Sequence, residues 1–157
     1  MDVSSYENMD AQRLKLELRL AQLEKKETCQ NSFLSFVRAM WPDFITGRHH
    51  EIIAEKLERV ARGELKRLII NMPPRHTKSE FASFLFPAWM MGQKPNMKII
   101  QATHTTELAV NFGRKTKNLI DSDEYRAVFP DVRLAVDSKA SGRWDTSRGG
   151  MYYAVGV

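Results

Sequence analysis

The sequence predicts an α/β domain with a parallel core sheet flanked by helices, and three observations carry that expectation. Two short apolar, β-branched runs, Leu68–Met72 and Lys98–Thr103, bracket an amphipathic helix, giving the order strand, turn, helix, strand. Apolar side chains recur at helical spacing in the stretches before, between and after those runs. Hydrophobic residues at 43% and charged residues at 27% of 157 are the composition of a folded chain and exclude a wholly disordered or collagen-like one.

The first predicted helix covers about Asp10 to Glu27. Leu16, Leu20 and Leu23 share one face, with Leu14, Leu18 and Ala21 beside them and Arg13, Lys15, Glu17, Arg19 and Glu24 around the stripe. Two readings stay open: a helix that docks on a neighbouring protein, or a terminal helix packed on its own domain. A second helix starts at Asn31 or Ser32, either of which can cap free N–H groups. Phe33, Phe36, Val37, Met40 and Trp41 form its core stripe, and Pro42 ends it. A third runs from about His49 to Arg62, buries Ile53, Leu57 and Val60, and stops at Gly63.

Leu68–Met72 reads as a buried strand. The prolines of Pro73-Pro74-Arg75-His76-Thr77 can continue neither a ladder nor a helix. A helix from Ser79 to Met91 follows, with Phe81, Phe84, Leu85 and Trp89 inward, Pro87 as its kink and Gly92 as its close. After Lys98–Thr103, another helix is capped by Thr105 or Thr106 and buries Leu108, Phe112, Leu119 and Ile120.

Net charge is +5, with −1 over residues 1–30, +3 over 31–80 and +3 over 81–157, so the basic excess lies in the body of the chain. An anionic partner fits that balance without being named by it. The lone Cys29 excludes an internal disulfide framework and a four-thiolate zinc site and suits a reducing compartment. No apolar run approaches the roughly 18 residues of a membrane span, and the polar N-terminus is not that of a signal peptide.

The chemistry concentrates in the turn. A helix N-terminus presents unpaired N–H groups and the positive end of its dipole, and so attracts phosphate. A lysine at that end reaches terminal phosphates, and a following hydroxyl can ligate magnesium. Lys78 and Ser79 stand where a nucleotide-binding turn places that pair. The two glycines of the strict pattern are replaced by Met72 and Thr77, and a β-branched residue is poorly suited to the positive φ glycine supplies. The competing reading is a proline-rich corner whose lysine and arginine are solvated. Arg75 and His76 add donors and charge, although a loop histidine is more often structural than a ligand.

Asn71-Met72-Pro73-Pro74-Arg75-His76-Thr77-Lys78-Ser79-Glu80 resembles the deviant Walker A segment of large terminase subunits, the DNA-packaging motors of tailed bacteriophages. That family commonly has Pro-Pro-Arg-His-Gly-Lys-Ser, some members accepting Thr for the Gly. Gln101–Ala109 running into Asn111–Lys115 resembles the family's second strand and following helix. Trp144-Asp145-Thr146 with Gly149-Gly150 and Tyr153–Gly156 resembles the segment leading to Walker B. Phe36 to His50 resembles the region that holds the adenine base.

The resemblance implies a P-loop NTPase of the additional-strand type, with residues 1–30 an N-terminal amphipathic helical segment and 31–157 the front part of the ATPase domain. It implies an ATP hydrolase that packages double-stranded DNA, using ATP and Mg²⁺. Pro74, Arg75, His76, Thr77, Lys78 and Ser79 would form the nucleotide site. Lys78 would meet the β- and γ-phosphates, Arg75 would sense or stabilise the γ-phosphate, and Ser79 would hold the metal. Portal protein, small terminase subunit and a homo-oligomeric ring are the implied partners, with no membrane. The implied place is the host cytoplasm at the procapsid portal, and the protein is not secreted.

A Walker B strand ending in an acidic pair is not found, nor the family's nuclease carboxylates, so the expectation is the front part of a motor, truncated before Walker B and inactive alone. Two alternatives remain: a helicase-type P-loop ATPase fragment, and a non-catalytic fragment that binds DNA or a partner through its basic body and first helix. Arg114, Lys115, Lys117, Arg143 and Arg148 are either DNA-phosphate contacts or a solvated face.

Overall fold

The computed structural model describes residues 3–138 and 140–157. Helix α1 (Val3–Asn31) is longer than the predicted stretch and packs on α2, α4 and α6 only near its C-terminal end. Leu14, Leu16, Leu18, Leu20 and Leu23 are each more than half exposed, whereas Cys29 is buried. Among the residues whose burial is described, packing on its own domain therefore holds for the last turns alone. There the Gln30 side chain donates to the Val128 carbonyl (2.7 Å), and the Trp89 indole donates to the Cys29 carbonyl (3.0 Å).

Ser32 caps α2 (Phe33–Met40), its hydroxyl accepting the Ser35 N–H at 3.3 Å. Phe33, Phe36 and Val37 face inward as the periodicity requires. Helix α3 (Arg48–Ala61) buries Ile53 and Leu57, and the chain leaves it through Gly63 at φ +80°, a conformation glycine adopts without a Cβ clash.

Leu68–Met72 does not form a strand. Its side chains alternate as on a strand, Leu68, Ile70 and Met72 half-buried and Ile69 85% exposed, but the run enters no ladder. The Met72 carbonyl is taken instead by the Lys78 ammonium at 3.2 Å. Apolar, β-branched composition suits a strand, and a strand exists only where a neighbour meets its backbone groups.

The helix beyond the turn begins at Lys78, widens into a π-helical segment over Glu80–Leu85 and continues as α4 (Phe86–Gln93). The Phe86 N–H reaches back to the Phe81 carbonyl, one residue farther than in an α-helix. The widened turn makes room for Pro87, which has no N–H and crowds the carbonyl of the preceding turn. The kink expected at Pro87 is thus resolved as a wider turn. Gly92 does not close the helix. It lies inside it, where a Cβ would meet the Phe129 ring at 2.5 Å.

The sheet is small and mixed, not fully parallel as expected. Its order is β1 (Lys98–Thr103), β3 (Met151–Gly156), β2 (Arg143–Asp145), with β1 parallel and β2 antiparallel to the central β3. Lys98–Thr103 is a strand as the sequence predicts, but its parallel partner is β3 and not Leu68–Met72. Between β1 and β2 lie α5 (Thr106–Ile120), capped by the Thr105 hydroxyl on the Leu108 N–H, and the short α6 (Asp123–Val128).

Helix α5 covers one face of the sheet with Ala109, Gly113, Thr116 and Ile120, a face rotated from the expected Leu108, Phe112, Leu119 and Ile120. Small residues lead because the approach is close: a Cβ on Gly113 would lie 2.7 Å from the Ser141 carbonyl oxygen and 3.1 Å from the Tyr152 ring. The opposite face is open, with Ile100 68% and Tyr153 43% exposed. The second half of the core is aromatic. Phe33 meets the edges of Phe81 and Phe86 at 5.6 and 5.5 Å, and Phe36 packs on Tyr125 and Phe129.

Candidate functional site

The Pro73–Ser79 turn joins the extended Leu68–Met72 run to the π-helical segment. Pro74, Arg75, His76 and Ser79 are exposed, while Thr77 and Lys78 are half-buried. Arg75 at φ +63° and Thr77 at φ +59° are the two non-glycine residues with positive φ among those described. Thr77 therefore takes the conformation that glycine supplies in the common pattern, at the steric expense of a β-branched side chain.

Lys78 and Ser79 are already helical, and the Phe81 N–H closes on the Thr77 carbonyl at 3.0 Å. Among the described residues the amides of Arg75, His76, Thr77 and Lys78 donate to no other backbone group outside the helices. The Lys78 side chain folds back across the turn onto the Met72 carbonyl. His76 turns inward on its own loop, Nδ1 lying 2.9 Å from the Pro74 carbonyl. Arg75 extends without an ion pair to any described carboxylate. A helix N-terminus beside a lysine suits a polyanion.

His50 belongs to this site, and the sequence singled it out only as the end of the Phe36–His50 region. It sits in the first turn of α3, is 6% exposed, and packs in a three-ring cluster with Phe44 and Phe81, whose centroids lie 4.7 and 5.1 Å from its own. Its Nδ1 accepts the Gly47 N–H (2.9 Å), and its Nε2 lies 2.6 Å from the Thr77 hydroxyl oxygen. Burial, with His49 beside it, holds its pKa below the ordinary histidine value. Its position three residues after Gly47 was a local signal for the helix cap, but nothing local announced the contact with Thr77.

Glu80, next to Ser79, is engaged by Lys115 of α5 (2.8 Å). The basic residues considered for DNA are largely tied to the protein itself. Arg114 bonds Asn111, Lys117 donates to the Ser138 carbonyl at 2.5 Å, and Arg148 lies 4.0 Å from Asp131. Arg143 is exposed on β2.

Neither β1, ending at Thr103, nor β3, ending at Gly156, finishes in a carboxylate, so Ser79 has no acidic companion at those strand ends. Among the described residues no group of three or more His, Cys, Asp or Glu side chains could hold a metal ion. No described helix is long and apolar enough to cross a membrane. Comparison with protein-family profiles, characterised proteins and solved structures finds no match to this chain.

Proposed function

We propose that this chain carries the nucleotide-binding half of a terminase-type, DNA-packaging P-loop ATPase, with the Pro73–Ser79 turn as its triphosphate site. The observation that supports this reading most directly is Thr77 at φ +59°, in the glycine position of the pattern, immediately before a lysine that folds over the turn. In this reading the amides of the turn receive phosphate oxygens, and Lys78 leaves the Met72 carbonyl to pair with the β- and γ-phosphates. Arg75 meets the γ-phosphate and Ser79 Oγ ligates Mg²⁺. The chemistry supplied by the bound nucleotide is phosphoanhydride hydrolysis, which also needs a carboxylate to orient water. The ends of β1 and β3 supply no such carboxylate, so the assignment made for the turn is nucleotide binding.

The biological setting that follows is packaging of double-stranded DNA at the portal in the host cytoplasm, with portal protein, small terminase subunit and further copies of the motor as partners. Titration of the chain with Mg-ATP tests the assignment. Lys78→Ala removes a charge-assisted bond worth roughly 1.5–3 kcal/mol, so its affinity falls about 10- to 100-fold. Equal affinity in the two proteins overturns the assignment.

A second reading has its own support in the exposed leucines of α1: a non-catalytic fragment that docks on a partner or on DNA. Salt-sensitive retention of DNA that ignores both ATP and Lys78→Ala favours it over the first.

A further inference from the structure

The hydrogen bonds around His50 determine its tautomer. Gly47 N–H donates to Nδ1, so Nδ1 is unprotonated and the neutral ring carries its hydrogen on Nε2. The Thr77 hydroxyl spends its own hydrogen on the His76 carbonyl at 2.6 Å, and its oxygen is left to accept from His50. Nε2–H therefore donates to Thr77 Oγ1 across 2.6 Å. Each partner has one role, and the chain of bonds runs from the start of α3 through the imidazole and the hydroxyl to the loop carbonyl.

The ring packs against Phe44 and Phe81, which also touch one another, and against the His49 ring at 3.7 Å. Phe81 belongs to the helix that the turn opens, so α3, the imidazole and the turn are clamped as one unit. Thr77 is the residue that needs such a clamp, because a β-branched side chain disfavours positive φ and glycine does not.

We propose that His50, as its neutral Nε2–H tautomer, is a positioning residue for the turn: by donating to the Thr77 hydroxyl it holds Thr77 in the left-handed conformation and keeps the amides of Arg75–Lys78 presented to a phosphate. The phosphate part rests on the nucleotide reading of the turn, and the clamp itself does not. A histidine from another helix thus does for threonine what the absence of a Cβ does for glycine.

His50→Asn separates the two bonds of the ring. Its amide oxygen still reaches the Gly47 N–H, as Nδ1 does, so the cap of α3 survives. The shorter side chain no longer reaches Thr77. Two measurements read the outcome. Ring ¹H–¹⁵N correlation spectra report the His50 tautomer, and the intraresidue amide-to-Hα cross-peak of Thr77, strong when φ is positive, reports the turn. Competition against a fluorescent ATP analogue in Mg²⁺ reports affinity in the wild type, His50→Asn, Thr77→Gly and the double variant.

The expected results are an Nε2–H ring and loss of the strong Thr77 cross-peak in His50→Asn. Affinity for Mg-ATP falls about tenfold, or about 1.4 kcal/mol, with Thr77 in place, and less than about twofold when residue 77 is glycine, which needs no clamp. An Nδ1–H ring, a Thr77 cross-peak unchanged in His50→Asn, or equal losses with threonine and glycine overturn the proposal. If the spectra follow expectation and the wild type binds no Mg-ATP, the clamp is supported and the nucleotide reading of the turn falls.

Discussion

Trp144 and Tyr152 face one another across β2 and β3, their rings 5.0 Å apart at the centroids and 3° from parallel. Both side chains are fully buried, and the Trp144 indole N–H donates to the Gly113 carbonyl of α5 at 3.2 Å. The pair fixes the antiparallel strand to the central one and fixes α5 above both. Trp144→Ala removes the ring and its bond, and the loss of stability is about 3–5 kcal/mol. Denaturant unfolding checks the figure, and the near-ultraviolet circular dichroism of the stacked pair disappears with it.

Gly113→Ala tests the same contact from the helix side. The added methyl group meets the Ser141 carbonyl oxygen and the Tyr152 ring, so α5 must lift from the sheet. Elsewhere in a helix alanine is favoured over glycine by about 1 kcal/mol. Here the expected sign is reversed, with a cost of about 1–3 kcal/mol from overpacking. A melting temperature equal to or above that of the wild type contradicts the close approach.

Residue 77 allows a comparison of two substitutions. Thr77→Ala keeps the Cβ at φ +59° and loses the bonds to His50 and the His76 carbonyl. Thr77→Gly loses the same bonds and relieves the backbone. The glycine variant is therefore the more stable of the two, by about 1 kcal/mol, measured by chemical denaturation under identical conditions.

The Glu80–Lys115 pair predicts an electrostatic effect on nucleotide affinity more than on stability. Both side chains are partly exposed, so breaking the pair changes stability by no more than about 1 kcal/mol. Lys115→Met leaves an unopposed carboxylate beside Ser79 and lowers affinity for Mg-ATP. Adding Glu80→Gln restores it, and titrations at low and high salt show the difference shrinking with ionic strength.

His50 sets the direction of one pH dependence. Its pKa in the folded chain lies below the ordinary value of 6.5, with burial as the larger cause and His49 as the second. The unfolded chain therefore takes up a proton before the folded one does. The contribution to stability is present above about pH 6.5 and is lost as the pH falls below that value. Protonation also sets two N–H groups against each other at Gly47. Urea midpoints at neutral and mildly acidic pH show a smaller acid-side decline in His50→Asn than in the wild type.

Local signals in the sequence were reliable where the physics is local. Ser32 and Thr105 cap their helices, and Gly63 turns the chain out of α3, because each acts on groups within a few residues. Thr77 stands in the glycine position of the pattern, where the sequence marks it as poorly suited to positive φ, and it nevertheless lies at φ +59°. Leu68–Met72 misled because its composition is that of a strand, while strand formation depends on a backbone that pairs with it. The buried face of α5 was displaced for a related reason. Leucine and phenylalanine mark the apolar side of a helix, but the tight approach to Tyr152 and Trp144 selected Ala109, Gly113 and Thr116. At the candidate site the turn could be read from residues in sequence order. Its support from His50 could not, because that contact joins α3 to a loop far along the chain.

The widened turn over Glu80–Leu85 links the site to a residue remote from it. An extra residue in one helical turn resets the azimuth of everything upstream by about 100°, so Lys78 and Ser79 point where they do because Pro87 cannot accept ordinary helical pitch before it. The proline thus acts as a rotational spacer. Phe81 and Leu85 within the widened turn, and Ala88 and Trp89 beyond it, enter a single core only when that phase shift is kept, and the aim of the lysine is inherited from the packing.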